Sequence, residues 1–135
     1  MYVLDANILI DISRGSLKHA YDLMMSSDAS LFKVPSIVKA ELLLGAAKSQ
    51  RPEEMRFRVE SLLLPFEILP FDDLCATHYA NIRANLEQNG KTIGANDYLI
   101  AATALAHSAI LVTNNVREFK RIPNLSIESW SEENL

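Results

Sequence analysis

Cysteine is almost absent from this chain. Cys75 is the only one among 135 residues, which excludes an internal disulfide and any thiolate metal cluster. Its setting, Leu74-Cys75-Ala76, marks it as a core side chain. Long apolar runs are lacking too, since no uninterrupted stretch approaches the roughly 20 residues of a membrane span. Met1 leads straight into strand-like sequence without a basic region or cleavage site, so a cytoplasmic protein with no membrane contact is expected. Positive charge is not in excess: 13 Lys and Arg stand against 17 Asp and Glu, a net charge of -4. That argues against a broadly basic surface gripping nucleic acid through its phosphates alone, but not against an enzyme whose acids hold a metal. GxxxxGK[ST] and GxGxxG loops are missing, and Ser13 and Ser36 lack the glycines of a nucleophile elbow, so nucleotide-loop and acyl-transfer chemistry have little support. His19, His78 and His107 show no HxxxH or HxxE spacing and read as surface or packing residues rather than ligands or bases.

What is present is an ordinary globular balance, 49% hydrophobic and 22% charged, over a length that fits one domain spanning 1–135. Strand and helix patterns alternate. Tyr2 to Leu4 predicts a buried strand and Ala6 to Ser13 a helix closed by Gly15. Ser16 is placed to cap a helix from Leu17 to Ser26 with Leu17, Ala20, Tyr21, Met24 and Met25 on one face, and Met24-Met25 is expected in the core. Leu31 to Val34 predicts a strand ending at Pro35, and Ser36 is placed to cap a third helix in which Gly45-Ala46-Ala47 permits a close helix contact. Pro52 opens a helix to about Leu64, Phe66 to Leu69 is the third strand, and Asp72 or Asp73 caps a helix to Gln88 that exits through Asn89-Gly90. Asn96 or Asp97 opens the next helix, running to about Ser108. Ile110 to Thr113 is the fourth strand, Val116 to Lys120 a short helix, and Leu125 to Ile127 the fifth strand. This order implies an α/β sandwich with a central, mostly parallel sheet, in which ligands gather outside the carboxyl ends of the strands.

Three acids interrupt apolar surroundings. Asp5 follows Tyr2-Val3-Leu4 and precedes Ile8-Leu9-Ile10, where a lone ionised carboxylate costs several kcal/mol unless something neutralises it. Glu41 has Ile37, Val38, Leu44 and Gly45 as its helical neighbours, and Asp97 has Ile93, Gly94, Ile100 and Ala101, so neither finds a cation on its own helix. Each has a plainer reading: Asp5 and Asp97 as helix caps, Glu41 as a half-exposed acid paired at a distance. The joint pattern is more telling. Like charges brought together need a cation, and oxygen donors without a His or Cys cluster favour Mg²⁺ or Mn²⁺ over zinc.

These residues resemble the PIN-domain ribonucleases, specifically the VapC toxins of toxin-antitoxin pairs. The resemblance is carried by Leu4-Asp5-Ala6-Asn7, Ala40-Glu41-Leu42 with Gly45, Ile93-Gly94-Ala95-Asn96-Asp97-Tyr98-Leu99-Ile100-Ala101-Ala102, and Leu111-Val112-Thr113-Asn114-Asn115-Val116-Arg117-Glu118-Phe119. It implies a PIN-like three-layer sandwich and a metal-dependent endoribonuclease with Asp5, Glu41 and Asp97 as catalytic and metal-binding acids, Asn7 shaping the site beside Asp5. Two departures stand out. Ala6 replaces a residue that often carries a hydroxyl, and Asn115 occupies a position where many relatives carry an aspartate, for which Glu118 can substitute.

The resemblance further implies an RNA substrate, a VapB-type antitoxin whose peptide tail enters the active-site groove, and a homodimer. Arg117, Lys120 and Arg121 are candidates for holding the RNA backbone, and exposed bystander roles fit them equally. Leu42-Leu43-Leu44 and Phe57, Val59, Leu62 and Leu63 offer either a partner surface or core. Two alternatives compete. A haloacid-dehalogenase-like phosphatase needs a second aspartate where Asn7 stands, and a nucleic-acid or partner-binding module with a degenerate metal site is suggested by Ala6 and Asn115.

Overall fold

The computed structural model describes residues 1–130 of the chain. Its centre is a five-stranded sheet, parallel throughout, formed by β1 (Tyr2–Leu4), β2 (Phe32–Pro35), β3 (Glu67–Leu69), β4 (Ile110–Val112) and β5 (Ser126–Glu128) in the order β3-β2-β1-β4-β5. The helices are α1 (Ala6–Ser13), α2 (Lys18–Ser26), α3 (Ser36–Ala47), α4 (Pro52–Leu63), α5 (Asp73–Gln88), α6 (Ala95–Ala106) and α7 (Val116–Phe119). They cover a sheet whose central strands bury both faces, which is why Val3, Leu4, Val34, Leu111 and Val112 are all inaccessible to solvent and why β1, β2 and β4 read as continuous apolar runs. The result is the PIN-like α/β sandwich anticipated from the sequence. Among the described residues no helix is long and apolar enough to cross a membrane.

The topology places the site. From β1 the chain builds outward through β2 to β3, then returns to lay β4 on the other side of β1. The carboxyl ends of β1 and β4 therefore flank the point where the strand order reverses, the crevice in which open α/β sheets bind ligands. Asp5 follows β1, and Thr113, Asn114 and Asn115 follow β4. Their register is tight, because Leu4 pairs with Val112 and the Asp5 amide donates to the Val112 carbonyl at 3.0 Å.

Several local expectations give way to tertiary context. Ser16 does not cap α2; Leu17 occupies that position without a side-chain bond, and the Ser16 amide closes the preceding turn on the Asp11 carbonyl at 2.9 Å. Ser36 is the first helical residue of α3 behind Pro35, whose fixed φ of -62° already sets the entry. Neither Asn96 nor Asp97 caps α6, since Gly94 is its N-cap and makes no side-chain bond. A Cβ built on Gly45 meets nothing within 4 Å, so no close helix contact depends on that glycine. On α2, Leu17, Ala20 and Met24 are buried while Tyr21 and Met25 are each 39% exposed, so Met25 lies outside the core. Cys75 is fully buried, and the short strands β2, β3 and β5 each begin one residue later than their apolar patterns suggest.

Candidate active site

Asp5 sits at the mouth of the crevice, buried to 6% exposure. It is both a cap and a held acid. Oδ1 accepts the Ala6 amide at 2.8 Å, satisfying one of the orphan donors of α1, and Oδ2 accepts the Thr113 hydroxyl at 2.7 Å. Thr113 is itself fully buried and its Oγ1 accepts the Asn115 amide at 3.0 Å. One threonine thus ties the acid after β1 to the loop after β4. Burial nevertheless pushes the Asp5 carboxyl above its ordinary value, with the Thr113 and Ala6 hydrogen bonds pulling the other way. The desolvation outweighs both donors.

Glu41 reaches the same crevice from the middle of α3, whose buried stripe of Val38, Leu42 and Ala46 packs on the core. Burial raises its pKa first, the Asp5 charge raises it further, and a hydrogen bond from the Asn96 side chain works in the opposite direction. Its Oε1 is buried with no hydrogen-bond partner, and so is Oδ1 of Asn7, two residues beyond Asp5. Orphaned buried oxygens are rare because each forfeits its hydration. Both atoms are acceptors, the kind of oxygen that a hard cation takes as a ligand.

Asp97 lies in the first turn of α6. A helix N-terminus favours an anion there by typically 0.3–1 kcal/mol, yet the carboxyl is pushed up to about 7. Burial is the largest cause, followed by a hydrogen bond shared with Glu118 and the negative charges of Asp5, Glu118 and Glu41. Glu118 is lowered by that same hydrogen bond and by one from Asn115, whose Nδ2 donates to Oε2 at 3.0 Å. The two shifts run in opposite directions because the carboxyls share one hydrogen bond, Asp97 going up and Glu118 down. Gly94 explains how the carboxylate fits: a Cβ there would lie 3.2 Å from Asp97 Oδ2.

The structure therefore brings Asp5, Glu41 and Asp97 into mutual electrostatic range and sets Glu118 against Asp97, with Asn115 bonded to Glu118 and Asn7 two residues beyond Asp5. Among the described residues, no three His, Cys, Asp or Glu side chains stand at metal-ligating spacing. The donor set still fits a hard divalent cation: carboxylates and an amide oxygen, two orphaned acceptors, and no sulfur or imidazole.

Two hollows meet at Glu41. One, of about 340 Å³, is lined by Glu41, Gly94, Ala95, Asn96 and Asp97. The other, of about 450 Å³, runs between α1, α3 and α4 past Ile10, Arg14, Leu42, Met55, Val59 and Leu62. Of the residues that the sequence left open between partner surface and core, Leu42, Val59 and Leu63 belong to the core, while Leu44 and Phe57 are 59% and 70% exposed. Arg117 and Lys120 are exposed; Arg121 is exposed too, but its Nη1 donates to the Thr92 carbonyl at 2.8 Å. Sequence reasoning did not single out Thr113 or Asn96 as supports of the acids. A hydroxyl ending the apolar run Ile110-Leu111-Val112 was the available signal for Thr113; Asn96 showed none.

A family model described as PIN domain matches residues 2–125. The chain is 40% identical to Ribonuclease VapC2 of Rickettsia felis over 133 residues, covering 98% of this chain and 99% of that one. It is 36% identical to the tRNA(fMet)-specific endonuclease VapC of Salmonella typhimurium, covering 96% of this chain and 97% of that one. Among solved structures, that of VapBC2 from Rickettsia felis bound to a DNA fragment from their promoter superposes with a TM-score of 0.86 at 39% identity, covering 96% of this chain and 98% of the other.

Proposed function

The chain belongs to the PIN-domain family, among the VapC endoribonuclease toxins, and on that premise we propose that it hydrolyses RNA phosphodiester bonds with a Mg²⁺ or Mn²⁺ ion held by Asp5, Glu41 and Asp97. The observation that carries this reading is the crevice beyond β1 and β4 in which Asp5, Glu41 and Asp97 come within electrostatic range of one another, with Glu41 Oε1 buried and unpartnered. A divalent ion bound there supplies a Lewis acid and a bound water of lowered pKa.

The protein's own groups prepare that chemistry. Thr113 Oγ1 and the Ala6 amide fix the Asp5 carboxylate in one orientation, and Asn96 turns Glu41 so that Oε1 is left free. That oxygen would ligate the ion or accept a proton from the attacking water, and the burial that raises its pKa makes it a stronger base than an exposed glutamate. Asn7 Oδ1 adds a neutral donor beside Asp5. Asn115 holds Glu118 by hydrogen bond rather than adding charge, so Glu118 acts as the fourth acid through Asp97. Asp97 must lose its proton before it carries full charge, so competence rises with pH through about 7.

The partner follows from the second hollow. A groove lined by Ile10, Leu42, Met55, Val59 and Leu62 and opening on Glu41 suits an apolar peptide, and the VapBC likeness supports a VapB-type antitoxin tail lying there. Resemblance also supports one PIN domain per chain, assembly as a homodimer and a cytoplasmic site of action. Arg117 and Lys120 are left free to meet phosphates at the rim.

The test is cleavage of a cellular RNA pool by the purified, antitoxin-free protein in Mg²⁺ or Mn²⁺, with chelator and Asp5→Asn controls. Discrete cuts lost in both controls are expected, and a transfer RNA is the first defined substrate to try, given the name of the Salmonella relative. Cleavage undiminished in the variant overturns the assignment of Asp5. Neither cleavage nor metal binding would point to a nucleic-acid or partner-binding module instead.

A further inference from the structure

Arg121 does something other than face solvent. It lies just beyond α7, in the segment whose Glu118 and Asn115 form one wall of the crevice, and its Nη1 reaches across to the Thr92 carbonyl at 2.8 Å. Thr92 belongs to the 89–94 connection between α5 and α6, which ends at Gly94 and carries Asp97 into place on the opposite wall. That connection is mostly exposed and turns at Gly90, with a φ of +67°. The Asn89 and Gly90 amides close the end of α5 on the Asn85 and Glu87 carbonyls at 3.1 and 3.2 Å, and the Gly94 carbonyl accepts the Asp97 and Tyr98 amides that open α6. The Lys91 amide bonds the Leu86 carbonyl at 2.9 Å, the Ile93 amide bonds Tyr98 Oη at 3.3 Å, and the Gly94 amide bonds Glu118.

Two of these anchors, Arg121 to Thr92 and Gly94 to Glu118, join the same pair of walls, beside the hydrogen bond between Asp97 and Glu118 themselves. We infer that Arg121 is a positioning residue for the nuclease reaction, pinning the 89–94 connection to the α7 segment so that Asp97 and Glu118 stay in register. This rests on the ribonuclease reading above and assigns Arg121 a role different from gripping the RNA backbone. A guanidinium suits the task, because its fixed fork gives one N–H to the carbonyl while its charge faces Glu118, which it helps keep ionised. Misplacement of a reacting group by about 1 Å can cost on the order of 100-fold in rate.

The experiment compares Arg121→Ala and Arg121→Lys with Lys120→Ala, which removes an exposed charge from the same segment. Steady-state cleavage is measured over a salt series, and amide hydrogen exchange is followed in the metal-free proteins. Arg121→Ala is expected to lower kcat about 10-fold or more with little change in KM, to leave the salt slope as in the parent, and to speed exchange at Ile93 and Gly94. Arg121→Lys, which keeps a donor, should recover part of both protection and kcat. A raised KM at unchanged kcat, a salt slope smaller by about one and unaltered exchange would overturn the inference and return Arg121 to the phosphates. If the parent protein cleaves no RNA, the ribonuclease reading fails on its own, while the exchange comparison still reports whether Arg121 holds the connection.

Discussion

Asp97→Asn should make the metal-free protein more stable, and only above a defined pH. In the folded chain the Asp97 carboxyl titrates at about 7 instead of its ordinary 3.8. The folded state therefore binds more protons than the unfolded state between those values, so this group's contribution falls as pH rises through the window. Below about pH 4 the acid is protonated in both states and costs nothing. Above about pH 7 the full penalty is present. At about 1.4 kcal/mol for each tenfold change in protonation, the upper limit is roughly 4 kcal/mol. Asp97 is only half-buried and solvent screens it, so about 1–2 kcal/mol is the expected gain. Asparagine cannot ionise, and its Nδ2 can still donate to Glu118. In chelator, thermal unfolding at pH 8 should give a Tm roughly 4–8 °C above the parent, with the two proteins converging near pH 4.5. A loss of stability at pH 8, or a difference that does not change with pH, would refute the reasoning and make Asp97 a structural residue.

Other perturbations separate the roles within the crevice. Thr113→Val keeps the shape but withdraws the hydroxyl from Asp5 Oδ2 at a fully buried position; a cost of about 1–3 kcal/mol by urea denaturation is expected, with cleavage reduced at least about 10-fold, and parental values of both would show that Asp5 needs no such support. Gly94→Ala places a methyl 3.2 Å from Asp97 Oδ2 in a backbone with φ -60° that alanine accepts; cleavage should drop several-fold while the Tm barely moves, and a large Tm loss would mean the backbone itself was strained. Mn²⁺ at about 100 times its dissociation constant should stabilise the parent by about 2.7 kcal/mol, and Asp5→Asn should abolish most of that gain in the same melting assay. Because a proton must leave Asp97, Mn²⁺ affinity measured by calorimetry should strengthen from pH 6 to pH 8; affinity that weakened with rising pH would contradict that assignment.

The sequence by itself determined the strands that bury both faces, because an apolar run such as Tyr2-Val3-Leu4 or Ile110-Leu111-Val112 has no stable place except inside a covered sheet. It also determined that Asp5, Glu41 and Asp97 needed an explanation, since burial of a charge is costly wherever the chain goes. Helix limits set by stiff or local signals were legible in the same way: Gly15 closes α1 with a φ of +77°, and Asp72 caps α5 by accepting the Cys75 amide at 3.1 Å. Signals with several possible partners were not. Ser16 and Ser36 had the chemistry of caps, but the chain entered α2 and α3 through Leu17 and Pro35, and Met25 fell on the exposed side of a helix whose apolar stripe was narrower than its composition.

Only the tertiary structure decided what surrounds the acids. Thr113 supports Asp5 from 108 residues away because β4 happens to lie beside β1 rather than at the edge of the sheet, and strand order leaves no local trace in the chain. The same holds for Asn96 against Glu41, for the hydrogen bond between Asp97 and Glu118, and for Arg121 reaching Thr92. Which residues are apolar or charged is written position by position, and burial follows from it. How strongly an acid holds its proton depends on distances between segments, and those exist only once the sheet has closed around them.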